Sequence, residues 1–537
     1  MKLFEIIFPN EIQEANGLYF RSEPEDLQFE SGFVKKGTVL RTDTYYNIFS
    51  LSKYQKYTNI QTISLHLKAE GLFRLSIYQQ SFDRSNRANM LISEEVHFEK
   101  DEQVQIPIEC NTPCDNSVVY FTLEALEHGC RFLSGFYAAE ITDARKDPVR
   151  IAMVICTYKR ESYVYHTLDS LCRNLFDDEK NEAKDNIEVF IVDNGRTIEP
   201  KWENYPQIHL IPNKNLGGSG GFTRGMTEVL QQEKEFSHVL LTDDDITLDY
   251  HVLLKTIQFL KIEKEAYRDT CLAGSMLYID RPTIQHEAGA MWEGEFYRPR
   301  PSKAKLDLSR VENLLFNEKE EKVDYAGWGY LCIPLSIIKE NDLPLPLFVK
   351  WDDVEYAIRS KMQCLTLNGI GFWHPSYENN FNSSLEYYAI RNALVINACH
   401  KIPNRFFRLH VGKRYFVNVI YGNYGVARCI LQAIYDYLQG IDFFKVLDGE
   451  DNHRKIGRFF ENDSYGESFT RSQKVVKSLR ALFRIDFWKS SIRFVKVFFA
   501  FCVRHKKIDN EYHDRYREIC SLEFWNSLFK EAENEKI

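Results

Sequence analysis

Arg150-Ile151-Ala152-Met153-Val154-Ile155-Cys156 is an apolar run, and beyond a polar stretch carrying Leu168 and Leu171 it is answered by Ile187-Glu188-Val189-Phe190-Ile191-Val192-Asp193. Apolar strands separated by a helical pattern read as a parallel sheet covered on both faces. In such sheets the ligand sits at the carboxyl ends of the strands. Working outward from those ends, the first run closes in Thr157-Tyr158-Lys159-Arg160 and the second in Asp193-Asn194-Gly195. A third run, His238-Val239-Leu240-Leu241, closes in Thr242-Asp243-Asp244-Asp245. Alternation along an extended segment puts Asp243 and Asp245 on the same side, so one divalent cation can touch both and still hold a diphosphate. Acidic clusters after strands also occur as plain surface turns.

The chain has 537 residues, more than one core usually organises, so two or three units are expected. Residues 1–145 show short alternating runs such as Thr62–Leu67, Phe73–Tyr78 and Val118–Leu123, the pattern of a β-sandwich or jelly roll. Such folds bind carbohydrate, act as spacers or make oligomer contacts, and a homo-oligomer is among the expected partners. Residues 146–384 carry the alternating strand and helix pattern, and residues 385–537 read as helices, with segments at Leu385–His400, Arg405–Leu438 and Lys474–Lys507. The fold class is therefore multidomain α/β.

A net charge of -9 argues against nucleic acid as a partner. The charge is uneven, for Arg471–Lys507 holds 11 Lys or Arg against the single acid Asp486. Leu479, Leu482, Phe483, Phe487, Ile492, Phe494, Val497, Phe498 and Phe501 are interleaved with those cations, which suits either an anionic membrane surface or a bundle helix with a solvated face. No charged-then-apolar leader opens the sequence and no uncharged stretch reaches 18 residues, so a cytoplasmic protein, peripheral at the inner face of the membrane, is expected. The 12 cysteines follow no repeated spacing, and Cys110 and Cys114 form the one close pair, so a reduced, structural set is expected.

Asp193 can accept from a nucleoside donor while Arg160 supplies a fork for phosphate oxygen, although both also suit a turn and a helix start. Asn215 to Gly225, with Gly217, Gly218, Gly220 and Gly221, precedes a helical pattern, so its backbone can approach an anion closely; the lysine ending of a P-loop is missing. Tyr325-Ala326-Gly327-Trp328 and Glu287-Ala288-Gly289-Ala290-Met291-Trp292 combine glycines with rings that serve as sugar platforms or as core. Trp351-Asp352-Asp353-Val354-Glu355 starts a helix with two acids near its cap, where one carboxylate can be held firmly enough to take a proton from a hydroxyl. His374, at the end of Gly371-Phe372-Trp373, can complete a metal site begun by the acidic triplet or be structural.

Taken together, Asn215 through Phe222, Asp243-Asp244-Asp245, Trp351 through Glu355 and Trp373-His374 resemble the family 2 glycosyltransferases of GT-A fold, and within them the bacterial galactofuranosyltransferases that extend mycobacterial galactan. The resemblance covers the whole architecture. It implies that Asp243, Asp245 and His374 hold Mn²⁺ or Mg²⁺ against the diphosphate of UDP-galactofuranose. By the same resemblance, Thr157, Arg160, Asp193, Asn215, Gly217, Gly218, Gly220, Arg224 and Asp244 seat the donor, Asp353 is the catalytic base of an inverting transfer, and Asp352, Trp292, Trp328 and Trp351 line the acceptor cleft. The acceptor would be a growing polysaccharide or lipid-linked glycan. Two other readings keep the frame: a different donor, such as UDP-galactose, UDP-glucose or dTDP-rhamnose, or a silent carbohydrate-binding scaffold.

Overall fold

The computed structural model describes residues 1–9, 12–24, 32–82, 87–109, 115–179, 181–376, 384–403, 407–460 and 485–534. Cys110, Cys114, Leu479, Leu482 and Phe483 lie outside the described residues.

The strand Ile151–Thr157 pairs in parallel with Ile187–Asp193 on one side and His238–Asp243 on the other, and Ile187–Asp193 pairs in parallel with Ile208–Pro212. Beyond His238–Asp243 the sheet is mixed, which corrects the expectation of a parallel one. Leu331–Pro334 runs antiparallel to both His238–Asp243 and Thr270–Tyr278, and Gln363–His374 lies parallel to Thr270–Tyr278. A four-residue apolar run such as Leu331–Pro334 carries no periodicity that reveals its direction. The strand directions nonetheless bring the carboxyl ends Thr157, Asp193, Asp243 and His374 to one edge.

Both faces of the sheet are covered, as the apolar strands require. Ile151, Met153 and Ile155 join a core shared with the N-terminal β region, while Ala152 and Val154 pack with the opposite cluster, which includes Trp525 and Phe529 near the carboxyl terminus.

Strands before residue 145 pair antiparallel. Ile60–Ser81 is their spine. It pairs with Val104–Ile108 and Arg131–Ile141 through its first half, and with Ala88–Phe98 and Ser117–Ala125 through its second. Gly71, at φ +97°, stands at the changeover. This region is fastened to the central one by buried bonds: Tyr19 Oη donates to Asp249 Oδ2 at 3.1 Å, Tyr45 Oη to the Ile370 carbonyl at 2.9 Å and Ser50 Oγ to Glu318 Oε1 at 2.6 Å.

After residue 384 the chain is helical: Leu385–Cys399, Phe407–Tyr421, Tyr424–Tyr437, Ile485–Arg515 and Leu522–Asn534 are the longer elements. The second helical segment breaks at Gly422-Asn423. Among the described residues no helix is long and apolar enough to cross a membrane.

Candidate active site

The acidic triplet sits where His238–Asp243 runs out of the sheet, and a two-residue bridge fixes the chain just beyond it. Thr247 and Trp373 exchange backbone hydrogen bonds of 2.9 Å, so the loop after the triplet lies against the end of Gln363–His374. Asp245 Oδ1 consequently faces His374 Nε2 at 3.3 Å. The other ring nitrogen, Nδ1, stands 2.7 Å from the Pro375 carbonyl, which assigns the Nδ1 proton and turns Nε2 toward the carboxylates. Arg160 answers from the first strand end: Nη1 lies 2.7 Å from Asp245 Oδ2 and 3.2 Å from Asp244 Oδ1. Thr157 Oγ1 donates to Asp244 Oδ2 at 2.7 Å.

Burial and the neighbouring Asp244 and Asp245 push the Asp243 carboxyl up to about 6. Burial also raises Asp244, against the pull of Thr157 and Arg160. Asp245 goes the other way, because His374 and Arg160 outweigh its burial and hold it below the usual carboxylate range. His374 is raised, since Asp245 and Asp243 outweigh the burial that disfavours an imidazolium.

Among the described residues no group of three or more His, Cys, Asp or Glu side chains is arranged so that it could hold a metal ion as it stands. Two carboxylates and an imidazole with its second nitrogen tied to a carbonyl are nevertheless a donor set that fits a hard or borderline divalent cation.

Asp352 and Asp353 open the helix Asp352–Arg359. The preceding loop is strained, with Phe348, Lys350 and Trp351 at φ 72°, 68° and 67°. It is clamped by the helix Leu385–Cys399: Asn392 Nδ2 donates to the carbonyls of Val349 at 2.9 Å and Lys350 at 2.8 Å, and Arg391 Nη2 to that of Leu347 at 2.7 Å. Trp351 Nε1 donates to the Ala389 carbonyl at 3.1 Å. Val354 N donates to Asp353 Oδ1 at 2.8 Å. Burial raises both Asp352 and Asp353, and each adds to a field that includes Asp243.

Three glycines keep the space among these acids open. A Cβ on Gly327 would stand 3.8 Å from Asp353 Oδ2 and 4.0 Å from Glu287 Oε1; one on Gly329, 3.6 Å from Asp243 Oδ2; one on Gly218, 3.9 Å from Asp352 Oδ2. Glu287 is the residue that sequence reasoning missed. It ends the short strand Ile284–Glu287, and burial pushes it up to about 7. An acid closing a strand beside a glycine and a tryptophan was the available signal, hidden by its place in a motif that also reads as core.

Several expected site residues have other duties. Asp193 is buried and its carboxylate accepts from the backbone of Gly195, Thr197 and Ile198 at 2.9, 2.6 and 2.7 Å, so it shapes the loop. Arg224 pairs with Glu228 at 2.7 Å and lies over the Phe529 ring, on the side of its helix turned to the carboxyl terminus. The glycine-rich segment is not a loop but the opening turns of the helix Gly217–Leu230. Its glycines serve contact: a Cβ on Gly221 would meet Cys156 Sγ at 2.1 Å, and one on Gly220 would meet Leu216 Cβ at 2.2 Å. At Gly217, φ is +72° and a Cβ would stand 2.0 Å from the Phe348 carbonyl oxygen. Asn215 Oδ1 accepts from the Gly217 amide at 3.1 Å, holding that turn.

The tryptophans divide. Trp328 is buried edge-on to Phe222, its Nε1 without a hydrogen-bond partner. Trp292 is also buried, donating to Asn397 Oδ1 at 3.2 Å and tilted against Trp351, so it supports the Trp351 ring from behind.

Acids and an imidazole at the carboxyl edge of a mixed α/β sheet have a counterpart among known families. Residues 152–306 match the family described as Glycosyl transferase family 2. Over 388 residues it is 26% identical to the galactofuranosyltransferase GlfT2 of Mycolicibacterium smegmatis, covering 66% of this chain and 57% of that one. GlfT2 of Mycobacterium tuberculosis is likewise 26% identical over 384 residues, with 66% and 58% covered. The chain thus matches less than two thirds of the length of these relatives. Among solved structures, mannosyl-3-phosphoglycerate synthase from Rubrobacter xylanophilus overlaps 46% of this chain and 73% of its own at 10% identity and a TM-score of 0.29, a likeness too shallow to carry an argument.

Proposed function

We propose that this protein is an inverting glycosyltransferase that moves galactofuranose from UDP-galactofuranose to a hydroxyl of a growing cell-surface polysaccharide or lipid-linked glycan. The observation that carries the reading is the convergence of these groups in one neighbourhood: His374 faces Asp245, Asp243 feels both of them, and Asp352 and Asp353 feel Asp243, with Glu287 acting on Asp353 as well. The galactofuranose donor is taken from the two galactofuranosyltransferase relatives. We keep the division at about residues 145 and 384, with a jelly-roll N-terminal unit, as part of the same proposal.

Asp243, Asp245 and His374 would hold Mn²⁺ or Mg²⁺, which when bound offsets the charge that develops on the departing diphosphate. Arg160 stands beside Asp244 and Asp245 with a guanidinium able to fork onto phosphate oxygen, and Thr157 holds Asp244 in place. On the acceptor side, the raised pKa of Asp353 brings it near the working range of a general base. Its free oxygen takes the hydroxyl proton as the acceptor oxygen attacks the anomeric carbon from the face opposite the leaving group, which inverts configuration. Asp352 and Glu287 would accept from other acceptor hydroxyls, and the Trp351 ring offers a sugar platform.

The test is incubation of the purified protein with Mn²⁺, a galactofuranoside acceptor and each of UDP-galactofuranose, UDP-galactopyranose, UDP-glucose and dTDP-rhamnose, reading nucleotide release and the anomeric configuration of the product. Turnover of UDP-galactofuranose alone, with a β-linked product, is the expected result. Turnover of another donor in its place overturns the sugar assignment.

A further inference from the structure

The helix Ile485–Arg515 turns two different faces outward. Phe494, Phe501 and Ile508 are buried against the neighbouring helices. Away from them, Trp488, Ile492, Val495, Phe499 and Val503 are 57%, 56%, 63%, 69% and 66% exposed. Their spacing of four, three, four and four residues makes one continuous stripe at 3.6 residues per turn. Large apolar side chains more than half exposed along a single face mark a surface that something covers.

The charge beside the stripe says what. Residues 487–507 hold six Lys or Arg and no Asp or Glu, on a protein whose net charge is -9. Lys489, Arg493, Lys496, Arg504 and Lys507 fall along one flank, between the stripe and the buried face, by the same helical arithmetic. Under that flank lies a cavity of about 410 Å³ between this helix and Tyr424–Tyr437. Leu431, Phe459 and Val497 make its apolar wall, and Arg428, Arg493 and Lys496 bring cations to it with no carboxylate partner among the described residues. An apolar stripe, a basic flank and a half-greasy, half-cationic cavity in sequence around one helix match an interface layered in the same order: acyl chain, glycerol, phosphate.

We propose that this face docks on an anionic lipid bilayer, with the stripe in the acyl boundary and a lipid phosphate seated among Arg428, Arg493 and Lys496. Docking of this kind is independent of which sugar is transferred. It places this basic surface against the lipid, so orientation on the membrane is set by charge and depth by the stripe.

The experiment uses the full chain without nucleotide sugar, in flotation with vesicles of phosphatidylcholine alone and of phosphatidylcholine mixed with phosphatidylglycerol. Binding to the mixed vesicles should exceed binding to phosphatidylcholine by roughly tenfold or more, and Arg428→Gln with Arg493→Gln and Lys496→Gln should remove most of that difference. Phe499→Ser with Val503→Ser should weaken binding to the mixed vesicles by about tenfold, while both variants still turn over a soluble acceptor as the parent does, which shows that they fold. Equal binding to both vesicles, no binding, or unchanged binding by either variant overturns the proposal. So does full release by inorganic phosphate at an ionic strength at which chloride releases nothing, since that would mark a site for a soluble phosphate ester.

Discussion

Asn392 holds the Lys350 carbonyl at 2.8 Å, and through it a helix of the C-terminal region fixes the loop that aims Asp353. Loss of that amide frees three residues from left-handed backbone that costs about 1–3 kcal/mol each to hold. Asn392→Ala should therefore lower kcat by about 10–100-fold with UDP affinity close to the parent's. Steady-state kinetics beside calorimetric titration of UDP checks the split; equal loss in both would mean that the clamp serves the donor site.

Asp353→Asn keeps the shape of the side chain and removes its basicity. Transfer should fall by about 10²–10⁴-fold while UDP and Mn²⁺ binding persist. Single-turnover rates and calorimetry on one preparation give both numbers, and unchanged transfer would send the search for the base to Asp352 or Glu287.

The rate should also depend on pH with a definite sign. Burial, then Glu287 and Asp243 among its neighbours, hold Asp353 above the ordinary carboxylate range, and it acts only when ionised. Transfer should rise with pH through the region around neutrality. Glu287→Gln removes one of the negative neighbours and should move that acid limb to lower pH, measured as kcat/KM across a pH series; a limb that stays put would separate Glu287 from the base.

His374→Ala takes away the one nitrogen donor of the triplet wall. UDP affinity in the presence of Mn²⁺ should drop by about 10–100-fold, and chelation should then change the parent far more than the variant. Titrating UDP with and without a chelator measures both, and equal sensitivity to chelation would remove His374 from the metal assignment.

Away from the cleft, Glu263 tests the linkage of charge to stability. It is buried, its Oε2 has no hydrogen-bond partner, and burial pushes it up to about 8 from 4.5 despite Arg145 and Arg268 nearby. The folded protein keeps a proton there that the unfolded chain gives up, so this residue's contribution is fully present below pH 4.5 and is lost as pH rises toward 8. Glu263→Gln should be the more stable form by about 1–3 kcal/mol above pH 8, with the gap closing in acid. Thermal melts at both ends of that range decide it.

The sequence made the parts of the fold that repeat a pattern easy to read. The apolar runs ending at Cys156, Asp193 and Leu241 announced the strands, and the acids after them announced the edge that carries the chemistry. What it hid were matters of direction and partnership. Leu331–Pro334 has no polar face to show that it runs antiparallel. Asp193 looks like a ligand-facing acid in sequence, and only the three amides folded back onto it reveal a turn builder. Four glycines in five residues read as a loop because glycine is a poor helix former; here contact with Cys156 and Phe348 outweighs propensity. Glu287 stayed unnoticed because its neighbours in space, Asp353 and Gly327, are far away along the chain.

The seam between Gly217 and the Phe348 carbonyl has a wider meaning. On the proposed assignment, the turn that begins the nucleotide side and the turn that leads to the proton acceptor press on one another with no room for a methyl group. A substitution meant to admit a bulkier donor therefore travels straight into the alignment of the attacking alcohol. Altering sugar preference in this scaffold without sacrificing turnover would require paired changes on either side of that junction.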